Sequence, residues 1–352
     1  MMEDLCATRW IYNESYGAMM ELPGVNSNSS RNTPEIQKSA EKEGGDPCKI
    51  YEMEQVREFA SFVSNNKLSV KTKITSQEFQ EADRMEGGVS GAMKLRYEGH
   101  LKIIKPQVLT KVFSENLKAL TSSGKHISHA NVSESDDSFA HFPRKELLGW
   151  HIARIFALDV PDTELVEIET ELGESKYASA QIFLTDAVSM INTKVEPYKI
   201  DLNSVILTFL FHLFTENIDG HTGNILLIPY EGEDDEEDLV EYKVIPIDYG
   251  LIYPRHDSIY PKEFSLLKKG FFHSFKTKKI HIHRYLKPLV EKLENALNAE
   301  FCNLMTSQEK QLYHRNLTGL QRILGGEESS LSLNGFLDTF VAHLMMELKD
   351  EH

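Results

Sequence analysis

The sequence predicts an α+β fold, strand-rich in its first half and mainly helical in its second, and three observations predict it. Gly87–Gly88–Val89–Ser90–Gly91 runs into a strand, turns at Tyr97–Glu98–Gly99–His100, and returns as Leu101–Lys102–Ile103–Ile104–Lys105–Pro106. Leu165–Ile168 and Ala178–Leu184 read as a second strand pair. From Asp201 onward apolar residues recur at helical spacing, broken by one further pair of short apolar runs, Ile225–Ile228 and Val244–Ile247. Strands gathered before helices fit an α+β fold.

Taken in order, residues 1–50 mix Ser, Asn, Gly, Glu and Lys with little periodicity and read as a disordered N-terminal arm. Val56, Phe59, Ala60 and Val63 then place one amphipathic helix over Tyr51–Val63. Leu120 to Phe142 is polar and aperiodic, a surface loop. Pro143 opens a helix carrying Leu147, Leu148, Ile152, Ile155 and Phe156, with Glu146 in its first turn. Asp201–Thr215 is apolar nearly all round and so predicts a buried helix, with His212 as a core or lobe-interface residue. Glu231–Asp238 is an acidic insert, a solvated loop. Ile280–His281–Ile282–His283 reads as a strand with both histidines on one face. Leu289, Leu293, Leu297, Phe301 and Leu304 form one helical stripe, followed by helices over Leu312–Ile323 and Phe336–Leu348.

Composition narrows the partners. The 352 residues are 41% hydrophobic, enough for a substantial core, and carry 38 basic against 54 acidic side chains, a net charge of −16. Bulk electrostatics therefore disfavours nucleic acid and anionic membrane, and any anion site must be local. Cys6, Cys48 and Cys302 show neither metal-ligand nor pairing spacing, as expected in a reducing compartment. No stretch approaches the ~18 apolar residues of a membrane span, and Met1–Met2–Glu3–Asp4 lacks the basic-then-apolar order of a secretory signal. A cytoplasmic location with at most peripheral membrane contact, and no nucleic-acid partner, is the expectation.

The chemistry concentrates in Asn217–Ile218–Asp219–Gly220–His221–Thr222–Gly223–Asn224 and in Asp248–Tyr249–Gly250, each lying at the end of an apolar strand of the Ile225–Ile228 and Val244–Ile247 pair. Hard cations take oxygen ligands, so Asp248 and Asn224 suit a metal that bridges phosphates, while Asp219 on the same loop can orient or deprotonate an acceptor hydroxyl. The plainer reading is that these residues shape a turn and cap a helix. Upstream, the glycines Gly87, Gly88 and Gly91, with Val89 and Ser90, can bring backbone N–H groups close to phosphate oxygens, and Lys105 can reach the same phosphates as a point charge. Lys94 and Lys102 are alternatives for that charge, and a simple hairpin turn is the alternative for the glycines.

These motifs resemble those of the phosphoinositide 3-/4-kinase superfamily, in particular type II and plant gamma phosphatidylinositol 4-kinases. The family's Asp-Arg-His-x-x-Asn motif is similar to Asp219–Asn224, and Ile247–Asp248–Tyr249–Gly250–Leu251–Ile252–Tyr253–Pro254 is similar to its Ile-Asp-x-Gly-Leu-x-x-Pro. Ile104–Lys105–Pro106 stands where the family has Val-Phe-Lys-Pro after its glycine loop, and Lys145–Glu146 with Val160–Pro161–Asp162–Thr163 is similar to the helix that follows. Gly220 departs from the family arginine, and the family's cysteine cluster is missing.

The resemblance implies the bilobal protein-kinase-like fold, with a small β-rich N-lobe over 51–185 and a larger helical C-lobe over 186–352. It implies an ATP- and Mg²⁺- (or Mn²⁺-) dependent phosphotransferase in which Glu146 pairs with Lys105, although a glutamate favoured by the helix dipole would look the same. Adenine would meet hinge backbone at Ile182, Phe183 and Leu184, and His221 would brace the catalytic loop. The acceptor would be a phosphoinositide headgroup, an inositol polyphosphate or a protein hydroxyl. Lys268, Lys269, Lys276, Lys278, Lys279 and Arg284 are the candidate anion surface, or else solvated cations over buried phenylalanines. The rival from another class is a pseudokinase, a nucleotide-dependent scaffold or binding module.

Overall fold

A computed structural model describes residues 10–13, 18–21, 47–75, 77–78, 82–84, 92–107, 142–169, 175–190, 195–217, 220, 222–230, 241–253, 272, 275, 279–297, 300–326 and 331–350. A short antiparallel hairpin, β1 (Trp10–Asn13) and β2 (Ala18–Glu21), precedes helix α1 (Pro47–Asn65). Six strands then build the main sheet: β3 (Val70–Ile74), β4 (Asp83–Arg84), β5 (Met93–Tyr97), β6 (His100–Pro106), β7 (Thr163–Glu169) and β8 (Ser175–Ile182), in the order β3-β7-β8-β6-β5-β4. Helix α2 (Phe142–Ile155) is inserted between β6 and β7 and packs across β6, β7 and β8.

The two faces of this sheet serve different cores. Lys102 and Ile104 point to one side, where Ile74, Leu95, Val166, Ile168, Ala178 and Ala180 form a small cluster. Lys105 points to the other side, where its cross-strand partner Ser179 pairs in turn with Leu165 of the large core. Because side chains alternate with period two, the register of β6 decides which lysine enters the cleft.

The second half is helical around one small sheet. After β9 (Val188–Ser189), helix α3 (Leu202–Thr215) is capped by Asp201, whose carboxylate accepts from Asn203 N at 3.1 Å and Ser204 N at 2.8 Å. Its residues Val205, Ile206, Phe209, Leu210, Phe211, Leu213 and Phe214 are all buried, each worth about 1.5–3 kcal/mol of transfer free energy. Strands β10 (Ile225–Tyr230) and β11 (Glu241–Pro246) pair antiparallel, with β9 on the outer edge of β10. Strand β12 (Lys279–Ile280) leads to α4 (Ile282–Ala296), α5 (Ser307–Leu324), β13 (Leu331–Ser332) and α6 (Leu333–Asp350). The chain is thus α+β, a β-sheet lobe joined to a helical lobe. Among the described residues no helix is long and apolar enough to cross a membrane.

Two local expectations are corrected. The strand expected over Ile280–His283 stops at Ile280, and His281 is the residue before α4, so His283 lies inside a helix. The stripe from Leu289 to Leu304 is two elements, because α4 ends at Ala296 and the chain resumes as a 3₁₀ turn over Glu300–Leu304. Both halves are still buried. The loop expected over Leu120–Phe142 lies outside the described residues except for Phe142, which starts α2 and is buried. The acidic insert also lies outside them.

Candidate active site

Three charged groups from three elements meet at the sheet's cleft face. Lys105 Nζ donates to Glu146 Oε1 at 2.8 Å and lies 3.3 Å from Asp248 Oδ1. Lys105 comes from β6, Glu146 from α2, one step beyond the first turn where the sequence placed it because the helix already starts at Phe142, and Asp248 from the loop after β11. Glu146 Oε1 also accepts from Tyr249 N at 3.1 Å, so one carboxylate ties the lysine strand to the loop that carries Asp248. Burial works against the Lys105 ammonium, but the Asp248 and Glu146 carboxylates outweigh it and hold its pKa above the ordinary lysine value. Burial pushes the Glu146 carboxyl up, the Lys105 ammonium opposes this, and the Asp248 charge adds to it.

The alternative lysines are occupied elsewhere. Lys102 Nζ donates to Glu164 at 2.5 Å and to Glu98 at 3.3 Å on the opposite face of the sheet, and Lys94 Nζ sits 4.0 Å over the Phe183 ring. Of the hinge residues, Ile182 N donates to Asp162 O and Phe183 N to Leu101 O, so both amides are used within the sheet. Leu184 follows them, partly exposed.

The β10–β11 ladder sets Asn224 opposite Ile247, the residue before Asp248. Ile225 pairs with Pro246, and Ile247 N donates to Asn224 O at 2.9 Å, extending the ladder one step beyond the strands. Helix α3 is fastened to the same ladder, since Asp201 N donates to Tyr242 O and Val244 N to Ser204 Oγ. The helix that leads into the Asp219 loop and the strand that leads to Asp248 therefore form one unit. A carboxylate and a carboxamide are hard oxygen donors of the kind that suits Mg²⁺ or Mn²⁺, and the Asp248 side chain is 34% exposed.

The loop after β11 is held in an unusual shape. Asp248 (φ 63°) and Tyr253 (φ 45°) both adopt the left-handed conformation, which aspartate tolerates better than tyrosine. Tyr249 is buried, with its hydroxyl donating to Pro246 O at 2.5 Å and its ring edge-on to Phe211. Two glycines permit this approach: a Cβ on Gly149 of α2 would lie 2.3 Å from Tyr249 Cβ, and one on Gly250 would lie 2.5 Å from the Phe142 ring. Gly149→Ala is therefore expected to cost about 1–3 kcal/mol by overpacking. Helix propensity alone would make the change favourable by roughly 1 kcal/mol. Urea unfolding distinguishes the two, and a gain in stability would show that α2 does not press on the loop.

Gly220 and His212 explain each other. His212 is fully buried in α3, edge-on to Phe211 and Phe272, and a Cβ on Gly220 would come within 3.0 Å of its Nδ1. Glycine stands here because the imidazole fills the space a side chain would need; its φ lies outside the left-handed region.

Asp219, His221, Gly87, Gly88, Val89, Ser90, Gly91, Lys268, Lys269, Lys276 and Lys278 lie outside the described residues. Lys279 is in β12, paired through its backbone with Ser332, and Arg284 is exposed on α4. The sequence reading missed the buried charges around the site. Arg144 forms a two-pronged pair with Glu309 of α5, at 2.6 and 2.9 Å, and also donates to Leu304 O. Lys145 Nζ donates to Ile252 O at 3.0 Å and Tyr253 O at 3.4 Å. Glu216, in a left-handed cap at the end of α3, accepts from Arg315 at 2.6 Å and Asn316 at 2.7 Å, and burial raises its carboxyl to about 7. Only Glu309 left a signal, the Thr306–x–x–Glu309 capping box that starts α5.

No protein-family model matches the sequence, and no curated protein matches it. Solved structures give distant likenesses. The proinflammatory kinase CtkA of Helicobacter pylori is 14% identical, with a TM-score of 0.38 over 75% of this chain and 96% of that one. The Rio2 kinase of Chaetomium thermophilum, solved as an ADP/Mg²⁺-phosphoaspartate complex, is 12% identical, with a TM-score of 0.34 over 84% of this chain and 75% of that one.

Proposed function

We propose that the chain is an ATP- and divalent-metal-dependent phosphotransferase that moves the γ-phosphoryl group of ATP to an alcohol. The observation that carries this reading is the meeting of Lys105, Glu146 and Asp248, with Asn224 in the turn just before β10. A buried ammonium between two carboxylates is an expensive arrangement for stability alone, whereas an anionic polyphosphate entering the cleft finds a charged donor already oriented.

In this reading Lys105 donates to phosphate oxygens while Glu146 holds it in place. Asp248 and Asn224 would hold Mg²⁺ or Mn²⁺, which would supply positive charge to neutralise the phosphates. Asp219, placed by its sequence position between α3 and Asn224, accepts the proton of the acceptor hydroxyl as its oxygen bonds to the γ-phosphorus. The bond from that phosphorus to the β–γ bridging oxygen breaks, and ADP leaves. Adenine would lie at the hinge against Leu184 and the carbonyls of Ile182 and Phe183, since the Ile182 and Phe183 amides are already engaged. The phosphatidylinositol 4-kinase resemblance makes a phosphoinositide headgroup the first acceptor to try, with inositol polyphosphates and proteins beside it.

The test is radiolabelled ATP supplied with Mg²⁺ or Mn²⁺ to the full chain and a panel of phosphoinositides, inositol polyphosphates and cell lysate. Label transfer to any of these supports phosphotransfer and identifies the acceptor class. ATP that raises the melting temperature with no transfer and no hydrolysis under any condition would favour the scaffold reading instead.

A further inference from the structure

Helix α2 begins with three consecutive charged residues, Arg144, Lys145 and Glu146, that are 1%, 3% and 2% exposed. Burying an ion without partners costs several kcal/mol, so each side chain must be held, and each is held by a different part of the molecule. Arg144 is taken by Glu309 and Leu304 O of the helical lobe, and Glu146 by Lys105 and the Tyr249 amide. Lys145 donates to two main-chain carbonyls, those of Ile252 and Tyr253, and its charge also acts on Glu309.

Those two carbonyls lie four and five residues beyond Asp248. Adjacent residues of one helix thus grip the stretch that follows Asp248 at two points, Glu146 at the Tyr249 amide and Lys145 at residues 252 and 253. The second point needs gripping, because Tyr253 sits in the left-handed region, a conformation that costs a non-glycine residue roughly 1–2 kcal/mol. Lys145 holds this residue at its carbonyl, while Thr215 O, at the end of α3, accepts from its amide at 2.8 Å. Asp248 lies between Ile247, whose amide donates to Asn224 O, and the carbonyls that Lys145 holds, so fixing both sides narrows the backbone angles open to Asp248 and the directions of its carboxylate.

We infer that Lys145 is a positioning residue for the metal-binding loop: by clamping the Ile252 and Tyr253 carbonyls it aims Asp248 at the bound cation. This rests on the phosphotransferase reading, in which Asp248 is a metal ligand. The consequence is that the lysine grip on phosphate and the aim of the metal ligand are set together by one turn of α2.

The experiment measures ATP affinity in EDTA and along a Mg²⁺ titration for the full-length wild type, Lys145→Met, Lys145→Gln and Ile74→Val. Ile74 is an equally buried control in the small cluster on the opposite face of the sheet. In Lys145→Met, ATP affinity in EDTA should match wild type, because Lys105 and Glu146 are intact. The Mg²⁺ needed for half of the metal-dependent gain should rise about tenfold, the lower range for residues that orient a metal ligand. Ile74→Val should lower the melting temperature and leave the Mg²⁺ midpoint where it was. Should Lys145→Met not fold, Lys145→Gln, whose shorter, uncharged side chain loosens the hold on the two carbonyls, carries the same comparison. Unshifted Mg²⁺ midpoints in the lysine variants, beside a wild type that shows Mg²⁺-enhanced ATP binding, would overturn the inference alone. An equal shift in Ile74→Val would overturn it too, by showing general loosening. A wild type that binds ATP under no condition would overturn the phosphotransferase reading itself.

Discussion

Asp248→Asn is expected to abolish phosphoryl transfer, by roughly 10³-fold, while the protein stays folded. The size follows from removing a preorganised charge at the point where phosphate charge is stabilised, for which about 10²–10³ is typical of a single donor, with a metal ligand at the upper end. Asparagine is a sharper choice than alanine here. Asp248 occupies the left-handed region at φ 63°, which asparagine also tolerates but alanine does not. Its amide keeps the shape of the carboxylate, so the backbone of the loop is undisturbed. Lys105 keeps Glu146 at 2.8 Å, and the variant relieves Glu146 of a neighbouring negative charge that helps push its carboxyl up. The signature is therefore a melting temperature close to wild type, ATP binding that has lost its Mg²⁺ enhancement, and no label transfer. Wild-type turnover in Asp248→Asn would remove Asp248 from the metal site and with it the proposed mechanism.

The parts that were legible in the sequence are those governed by local pattern. Helix α3 was readable because residues 205–214 are almost continuously apolar, and the β10–β11 pair because two short apolar runs flank a polar insert. Lys105, Glu146 and Asp248 could be singled out by residue type and order, although sequence alone left Lys94 and Lys102 open. The choice among the lysines depends on which face of β6 meets α2, a fact of tertiary packing. Strand β3 was missed despite the alternation of Val70, Thr72 and Ile74, since its partner, parallel β7, lies about ninety residues away. The end of α4 was invisible because its apolar stripe continues in phase into the 3₁₀ turn at 300–304. Arg144 and Lys145 were invisible for a different reason. Charged residues beside a proline at a helix start look like a solvated terminus, and only the folding of α5 and the loop after β11 over them makes them interior.

Those interior charges give the second large effect, on stability. Glu309→Ala should destabilise the protein by about 3–5 kcal/mol, the usual result of deleting one member of a buried ion pair and leaving the other charge without its partner. Arg144 is 1% exposed, stacked 5.2 Å from the Phe62 ring, and bound to both Glu309 oxygens. The same carboxylate accepts from Thr306 N at 2.8 Å, so one half of the capping box of α5 is lost with it. Burial alone would raise the Glu309 carboxyl, but the Arg144 guanidinium, the Lys145 charge and the Thr306 amide together bring it from 4.5 down to about 2. A folded-state pKa below the unfolded value gives stability that is present above about pH 4.5 and lost as pH falls toward about 2. At about 1.4 kcal/mol per pH unit it is worth about 3 kcal/mol. Urea unfolding at pH 7 and pH 3 should therefore show wild type losing more stability on acidification than Glu309→Ala, which has no such carboxylate to protonate. Equal acid losses in the two proteins would mean that the pair is not formed. Arg144→Met combined with Glu309→Leu separates charge from packing: a fitted apolar pair can replace a buried ion pair with little loss, so the double variant should recover most of the stability that either single change removes. Because Arg144 precedes Lys145 and Glu146 in the same turn, recovery of Mg²⁺-dependent ATP binding in that double variant would show that α2 needs to be anchored to α5 but does not need a salt bridge to do it.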